Sequence, residues 1–384
     1  MLAKPSPITS IQYTINPRLA SPKRGAPLRW YDPRGWPPWN RFLLAGFISS
    51  AIIIAAIVCI VTGMPAVRYP NYSPLEYRLQ HIYRGTSFFD HFNYFSDTDP
   101  TNGFVVYANR QVAQDQNLTY ASETSAILRV DSLTPHAVEG RRSVRIESIA
   151  TYNTGLFVFD ILHTPYGCGT WPALWLTDGY NWPQNGEIDI LESTNGGSNG
   201  NEITLHTTEG CRMNVDRKET GSPVLTTCES TAGGNSGCGV LGDSSTYGQE
   251  LNANGGGLDA ETGKYFLRYT HWSSAEQEFE SGTSLAVPFP RTLSTRVLPD
   301  PSRWGMALAD FPSTECDITS HFRNQSIIVN IDLCGELAAQ PQYYQSLYHC
   351  PGSCSDFVAN NPSSFEEAYW EFASFKVFQA VQPD

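Results

Sequence analysis

Basic residues are scarce in this chain: 25 Lys and Arg stand against 38 Asp and Glu in 384 residues, leaving a net charge of −13. Lys4, Arg18, Lys23, Arg24, Arg29, Arg34 and Arg41 all precede residue 42, with Asp32 alone opposing them. The first 63 residues therefore carry +6 and the remainder −19. A surface so short of cations cannot neutralise a phosphate backbone, which excludes nucleic acid as a ligand. Long helical periodicity is missing after residue 85, and no internal repeat occurs, so neither a helical bundle nor a repeat architecture fits. The His and Cys residues fall into no zinc-like spacing, so neither a metal site nor a cofactor is expected.

What remains after residue 85 is an all-β pattern. Strand-like runs recur at 144–147, 156–162, 187–191, 202–207, 326–333 and 372–381. Between them lie turn formers such as Asn195-Gly196-Gly197, Asn199-Gly200 and Gly233-Gly234-Asn235.

The run Gly186-Glu187-Ile188-Asp189-Ile190-Leu191-Glu192 places three carboxylates within six residues of such a strand. Strand side chains alternate faces, so Glu187 and Asp189 share one side while Glu192 falls on the other. One extra residue, a β-bulge, returns Glu192 to the face of its partners. Three acids in a row raise one another's pKa and resist full ionisation. Retaining glycoside hydrolysis uses that cost: one carboxylate attacks while another, about 5–5.5 Å away, stays protonated to serve the leaving oxygen. An arbitrary E-x-D-x-x-E is more often a set of solvated acids, but Trp171, Trp175 and Trp182 precede this one within sixteen residues. Indole faces stack on the apolar faces of pyranose rings, a pairing suited to a sugar cleft.

With these residues in view the chain resembles glycoside hydrolase family 16, in particular the fungal endo-1,3(4)-β-glucanases of the laminarinase type. The resemblance is carried by SVRIES (143–148), TYNTGLFVFD (151–160), CGTWPALW (168–175), NWPQNGEIDILE (181–192), TLHT (204–207) and YWEFASFKVFQ (369–379), and runs from about residue 86 to the C-terminus. It implies a concanavalin A-like β-jelly-roll sandwich with the substrate cleft across its concave face. It implies Glu187 as nucleophile, Glu192 as acid/base and Asp189 as the residue that tunes the nucleophile. Trp171, Trp175 and Trp182 would line sugar subsites, and Arg145 and His206 would bond sugar hydroxyls, although a lone Arg or His on a strand is more often structural. Residues 265–291 depart from the family's aromatic-rich pattern, which implies either a reshaped cleft wall or a locally misread coding sequence.

Residues 42–63 form a charge-free run of twenty-two. As a helix it would span roughly 33 Å, enough to cross a bilayer core of about 30 Å, and it is longer than the apolar region of a cleavable signal. The basic flank holds the preceding residues in the cytoplasm. The expectation is a type II single-pass protein: a Pro-rich tail (1–41), a signal-anchor (42–63), a stem (64–85) and a lumenal or extracellular catalytic domain (86–384).

Apart from Cys59 in the span, eight cysteines follow it, an even set suited to disulfides in an oxidising compartment, with pairing unreadable from order. The sequons at Asn71, Asn117 and Asn324 lie on the same side. The resulting expectation is a monomeric, membrane-anchored retaining endo-β-glucanase acting on β-1,3 or mixed β-1,3/1,4 glucan. A β-glucan transglycosylase using the same residues, or a non-catalytic glucan-binding module, is the alternative.

Overall fold

In the computed structural model the described residues are 75–231, 234–255, 264–269, 282–284, 299 and 306–381, with scattered positions between 37 and 53. The chain divides into two units, Met1–Ala66 and Val67–Asp384. In the second unit the described strands begin with β1 (Tyr77–Tyr83), β2 (Phe92–Phe95), β3 (Val105–Tyr107), β4 (Thr119–Ala121), β5 (Ala126–Arg129), β6 (Arg141–Ser143), β7 (Arg145–Tyr152), β8 (Gly155–His163) and β9 (Thr170–Thr177). They continue with β10 (Glu187–Glu192), β11 (Glu202–His206), β12 (Ser222–Pro223), β13 (Cys238–Leu241), β14 (Lys264–Tyr269), β15 (Gly282–Ser284), β16 (Ala307–Asp310), β17 (Gln325–Leu333) and β18 (Tyr369–Ala380).

Two antiparallel sheets result, the jelly-roll-like architecture expected. One runs β12-β13-β11-β10-β9-β17-β7-β2, and the other β16-β15-β14-β8-β18-β5-β4 with β1 added to β18. All six expected strand runs fall on strands, with ends that coincide or shift by up to five residues. Strand β9 was legible only as a tryptophan motif, because a strand buried on both faces alternates poorly. Of the divergent segment, only the backbones of β14 and β15 are described; β14 pairs with β8 and β15 with β16, and the rest of 265–291 lies outside the described residues.

Alternation along each strand of the first sheet separates a core face from a site face. Leu174 and Leu176 of β9, Ile188 and Ile190 of β10, Leu205 of β11, and Ile327, Val329 and Ile331 of β17 are fully buried in the core cluster. Against them pack Phe157 and Phe159 of β8 and Trp370, Phe372 and Phe375 of β18, with Phe372 and Phe375 edge to face at 4.7 Å. Each such side chain contributes about 1.5–3 kcal/mol by leaving water. That packed layer is the rigid floor on which the site face is displayed.

The eight cysteines after residue 63 pair as Cys168–Cys350, Cys211–Cys316, Cys228–Cys238 and Cys334–Cys354. Cys334 closes β17 and Cys168 precedes β9, so two of the bridges tie the ends of site-bearing strands to the segment 350–354. Arg141 is fully buried and donates to the carbonyls of Asp131, Thr134, Val358 and Ala359, fastening the 131–134 turn to the same C-terminal region.

No helix among the described residues is long and apolar enough to cross a membrane. Most of the expected span at 42–63 lies outside the described residues. Its described positions up to Ile53 are helical, and Phe42, Leu43, Phe47 and Ile53 are 59–78% exposed. Asn71 and Cys59 also lie outside the described residues. Asn117 is exposed, whereas the Asn324 amide donates to Asp178 Oδ2 at 3.0 Å.

Candidate active site

Strand β10 is preceded by Gly186, whose φ of +72° and contact with the chain at His321 leave no room for a side chain: a Cβ would lie 2.5 Å from the His321 carbonyl oxygen. From Glu187 to Asp189 the register with β9 is regular, Glu187 opposite Thr177 and Asp189 opposite Trp175. The next β9 residue, Leu174, pairs with Leu191, so β10 gains one residue between Asp189 and Leu191. The same slip registers on β11, where Asp189 faces Thr204 and Glu192 faces Glu202. This is the bulge that the spacing of the acids required. Ile188, Ile190 and Leu191 all enter the core, and Glu187, Asp189 and Glu192 all take the opposite side.

The bulge is held by a residue that sequence reading missed. Asn201, fully buried, accepts from the Glu192 backbone N–H at 2.9 Å and donates to the Ile190 carbonyl at 2.8 Å. It thereby satisfies both backbone groups that a bulge removes from the ladder. Nothing in the sequence distinguishes Asn201 from the neighbouring turn asparagines.

His206 of β11 brings two of the acids together: its Nε2 lies 3.2 Å from Asp189 Oδ2 and 4.0 Å from Glu187 Oε1, while Nδ1 meets Asn235 Oδ1 at 3.1 Å. If Nδ1–H donates to Asn235, Nε2 meets Asp189 either as an imidazolium donor or as the acceptor of an Asp189 proton, so the pair shares a proton in both cases. Trp171 Nε1–H donates to Glu192 Oε1 at 2.7 Å. Burial pushes the carboxyls of Glu187, Asp189 and Glu192 up to about 8 each; the charge of Asp189 adds to the rise at Glu187 and Glu192, and that of Glu192 to the rise at Glu187. The indole hydrogen bond acts against that rise at Glu192, and His206 acts against it at Glu187 and Glu192. The site thus favours a partly protonated row, with one carboxylate charged beside a neighbour that keeps its proton.

Donor atoms of Glu187, Asp189 and His206 lie within 4.8 Å of one another, a spacing that would admit a cation. Two of the three donors already face each other as the Asp189–His206 pair, so the arrangement is self-sufficient as an acid cluster.

Trp175 and Arg145 form a second cluster rather than joining the acids. Trp175 Nε1–H donates to Asn330 Oδ1 at 2.8 Å, and the Arg145 guanidinium stacks between Trp175 (5.0 Å) and Phe95 (4.6 Å) while its fork binds Glu147 at 2.7 Å. Arg145 therefore supports the indole that stands beside the row. Trp182 is placed in the β9–β10 turn, 40% exposed and without a hydrogen bond to the acids. That turn is fixed by Asp178, whose carboxylate accepts from the Tyr180 backbone and from the amides of Asn181, Asn185 and Asn324.

Along the site face lie further polar residues that sequence reading passed over. Asn330 and Asp332 interrupt the apolar run of β17, and that interruption was the available signal. Asp332 is 2% exposed, and the Thr101 hydroxyl stands 3.0 Å from it and 2.7 Å from Asp99. One hydroxyl hydrogen cannot serve two carboxylates, so Asp332 keeps a proton, consistent with burial pushing it up to about 8.

A two-sheet β-sandwich with a bulged strand carrying three clustered acids beside indoles defines a carbohydrate-active enzyme of the glycoside hydrolase class. Residues 92–378 match the XgeA-like catalytic domain of glycoside hydrolase family 16, and the chain belongs to that family. A probable glycosidase of Schizosaccharomyces pombe is 40% identical over 319 residues, which are 81% of this chain and 71% of that protein. A probable endo-1,3(4)-β-glucanase of Aspergillus flavus is 36% identical over 79% of this chain, which spans only 44% of its length. Among solved structures, the family 16 laminarinase 16A of Phanerochaete chrysosporium, with two 6-O-glucosyl-laminaritriose molecules in its donor and acceptor sites, superposes with a TM-score of 0.71 at 40% identity. That match covers 79% of this chain and 99% of the laminarinase.

Proposed function

We propose that this chain is a retaining endo-β-glucanase that cuts β-1,3 or mixed β-1,3/1,4 glucan and is held to a membrane by residues 42–63. The observation that carries the reading is the bulged β10 row, in which Glu187, Asp189 and Glu192 share one face. Glu187 attacks the anomeric carbon, forming a C–O bond to its carboxylate as the glycosidic C–O bond breaks. Glu192 gives its proton to the departing oxygen, then takes one from the incoming water as that water displaces Glu187. Asp189, sharing a proton with His206, tunes the Glu187 carboxylate between the two steps. Trp175 and Trp182 offer aromatic faces to flanking sugars.

Reducing-sugar release from laminarin and from mixed-linkage glucan tests this directly. Turnover of at least one with retention of the β-anomer in the first products is expected; a folded protein that binds glucan and releases nothing would overturn the hydrolase reading. Transfer to a second sugar in place of water would show as products longer than the substrate.

Anchoring rests on the charge-free run, its basic flank and the exposed apolar side chains at 42–53. The full chain is expected to stay with the bilayer through alkaline carbonate washing. Release by that wash would sink the anchor.

A further inference from the structure

Glu202 is a fourth acid at the same place, and nothing above employs it. It stands on β11 directly opposite Glu192 on β10. Its side chain is half-buried on the site face, and its carboxyl makes no hydrogen bond or ion pair among the described residues. Room for that carboxyl exists because Gly239, opposite Thr204 on β13 and diagonal to Glu202, has no side chain: a Cβ there would lie 2.7 Å from Glu202 Oε1. Like charges directly opposite on paired strands are unfavourable, and a chain gains nothing structural from leaving one unpaired beside an active carboxyl. The groups facing Glu202 are Glu192 and Asp189 from β10, His206 from its own strand, and Tyr343 from the turn at 342–347, while Gly239 brings no charge.

We infer that Glu202 is a positioning residue that keeps the proton on Glu192 between turnovers and strengthens Glu192 as the base of the second step. The inference rests on Glu192 being the acid/base. Before attack, the Glu202 carboxylate opposes a second negative charge on Glu192 and so retains the proton there. Once that proton has gone to the leaving oxygen, the same repulsion makes Glu192 the readier acceptor of a proton from water. Electrostatics point the same way: Glu202 raises both Glu192 and Asp189, whereas Glu187 does not feel it among its leading influences.

The test is the pH profile of kcat/KM on laminarin for the parent, Glu202→Gln and Glu202→Asp. Glu202→Gln is expected to lower the basic limb by about one pH unit and leave the acidic limb in place. Glu202→Asp, which keeps the charge, should stay nearer the parent. Trp171→Phe supplies the opposite sign: losing the indole donor raises Glu192, and the basic limb moves up. Because an inactive parent would leave the limbs unread, the Glu192 carboxyl is also titrated by 13C NMR, its resonance identified with Glu192→Gln. A downward shift of about one unit in Glu202→Gln supports the inference even if no glucan is cut. An unmoved Glu192 titration in a folded Glu202→Gln protein overturns it, whatever the activity.

Discussion

Glu187→Gln is expected to cut laminarin turnover by at least about 10⁴-fold while leaving glucan binding within a few-fold of the parent, since it removes the atom that forms the new bond and nothing that grips the chain. Glu192→Ala should be distinguishable from it by azide. In a further variant, Glu187→Gly, azide can enter from the vacated side in a single displacement, giving an α-glycosyl azide. With Glu192→Ala the intermediate on Glu187 still forms from a substrate with a good leaving group. Azide, needing no base, then displaces it to give the β-azide. Opposite anomers from the two variants would establish the roles; the same anomer from both would refute them. Stability adds an independent readout. The Glu187 carboxyl lies near 8 in the folded chain against 4.5 when free. The folded state therefore holds the extra proton in that window, and stability falls as pH rises from about 4.5 to about 8. Glu187→Gln cannot ionise, so its Tm should exceed the parent's at pH 7–8 and converge with it near pH 4. An active site that costs stability gains it back when disarmed.

Much of this was legible because strands write their faces into sequence. The period-2 pattern identified β7, β8, β10, β11, β17 and β18, and the spacing of Glu187, Asp189 and Glu192 demanded a bulge that the register displays. Partnership across strands was not legible. The pairing of Glu192 with Glu202 depends on how the connection at 193–201 folds back, and the four disulfides depend on closures of up to 182 residues. Arg145 illustrates a different limit. Its place beside the row was readable from SVRIES, but its stacking on Phe95 and Trp175 and its bond to Glu147 depend on β2 lying next to β7, which no local pattern states. Trp171 shows the reverse: as a residue type it reads as core or cleft, and only its indole hydrogen bond to Glu192 makes it part of the chemistry.

Removing the support of the bulge is expected to disable the enzyme almost as thoroughly as removing a carboxyl. In Asn201→Ala the Glu192 N–H and the Ile190 carbonyl lose their partner inside the sheet, a cost of about 1–3 kcal/mol for each group left buried. The cheapest repair is a one-residue slip of β10 that restores the ladder, and a slip by one sends every side chain beyond it to the other face. Glu192 would then turn toward Leu174 and Ile203 in the core, a place where its charge cannot be held, and Leu191 would turn into the row. A displacement of even 1 Å at the proton donor costs about 10²-fold, so kcat should fall by 10²-fold or more at temperatures well below the variant's Tm. Asn195→Ala is the matched control. Asn195 is equally buried and also bridges backbone, accepting from Gly169 N–H at 2.8 Å and donating to the Ala338 carbonyl at 3.1 Å, but it supports no residue of the acid row. It should lose comparable stability and keep most of its kcat. Equal activity losses in the two variants would mean that Asn201 serves the fold in general and that the bulge holds Glu192 in place without it.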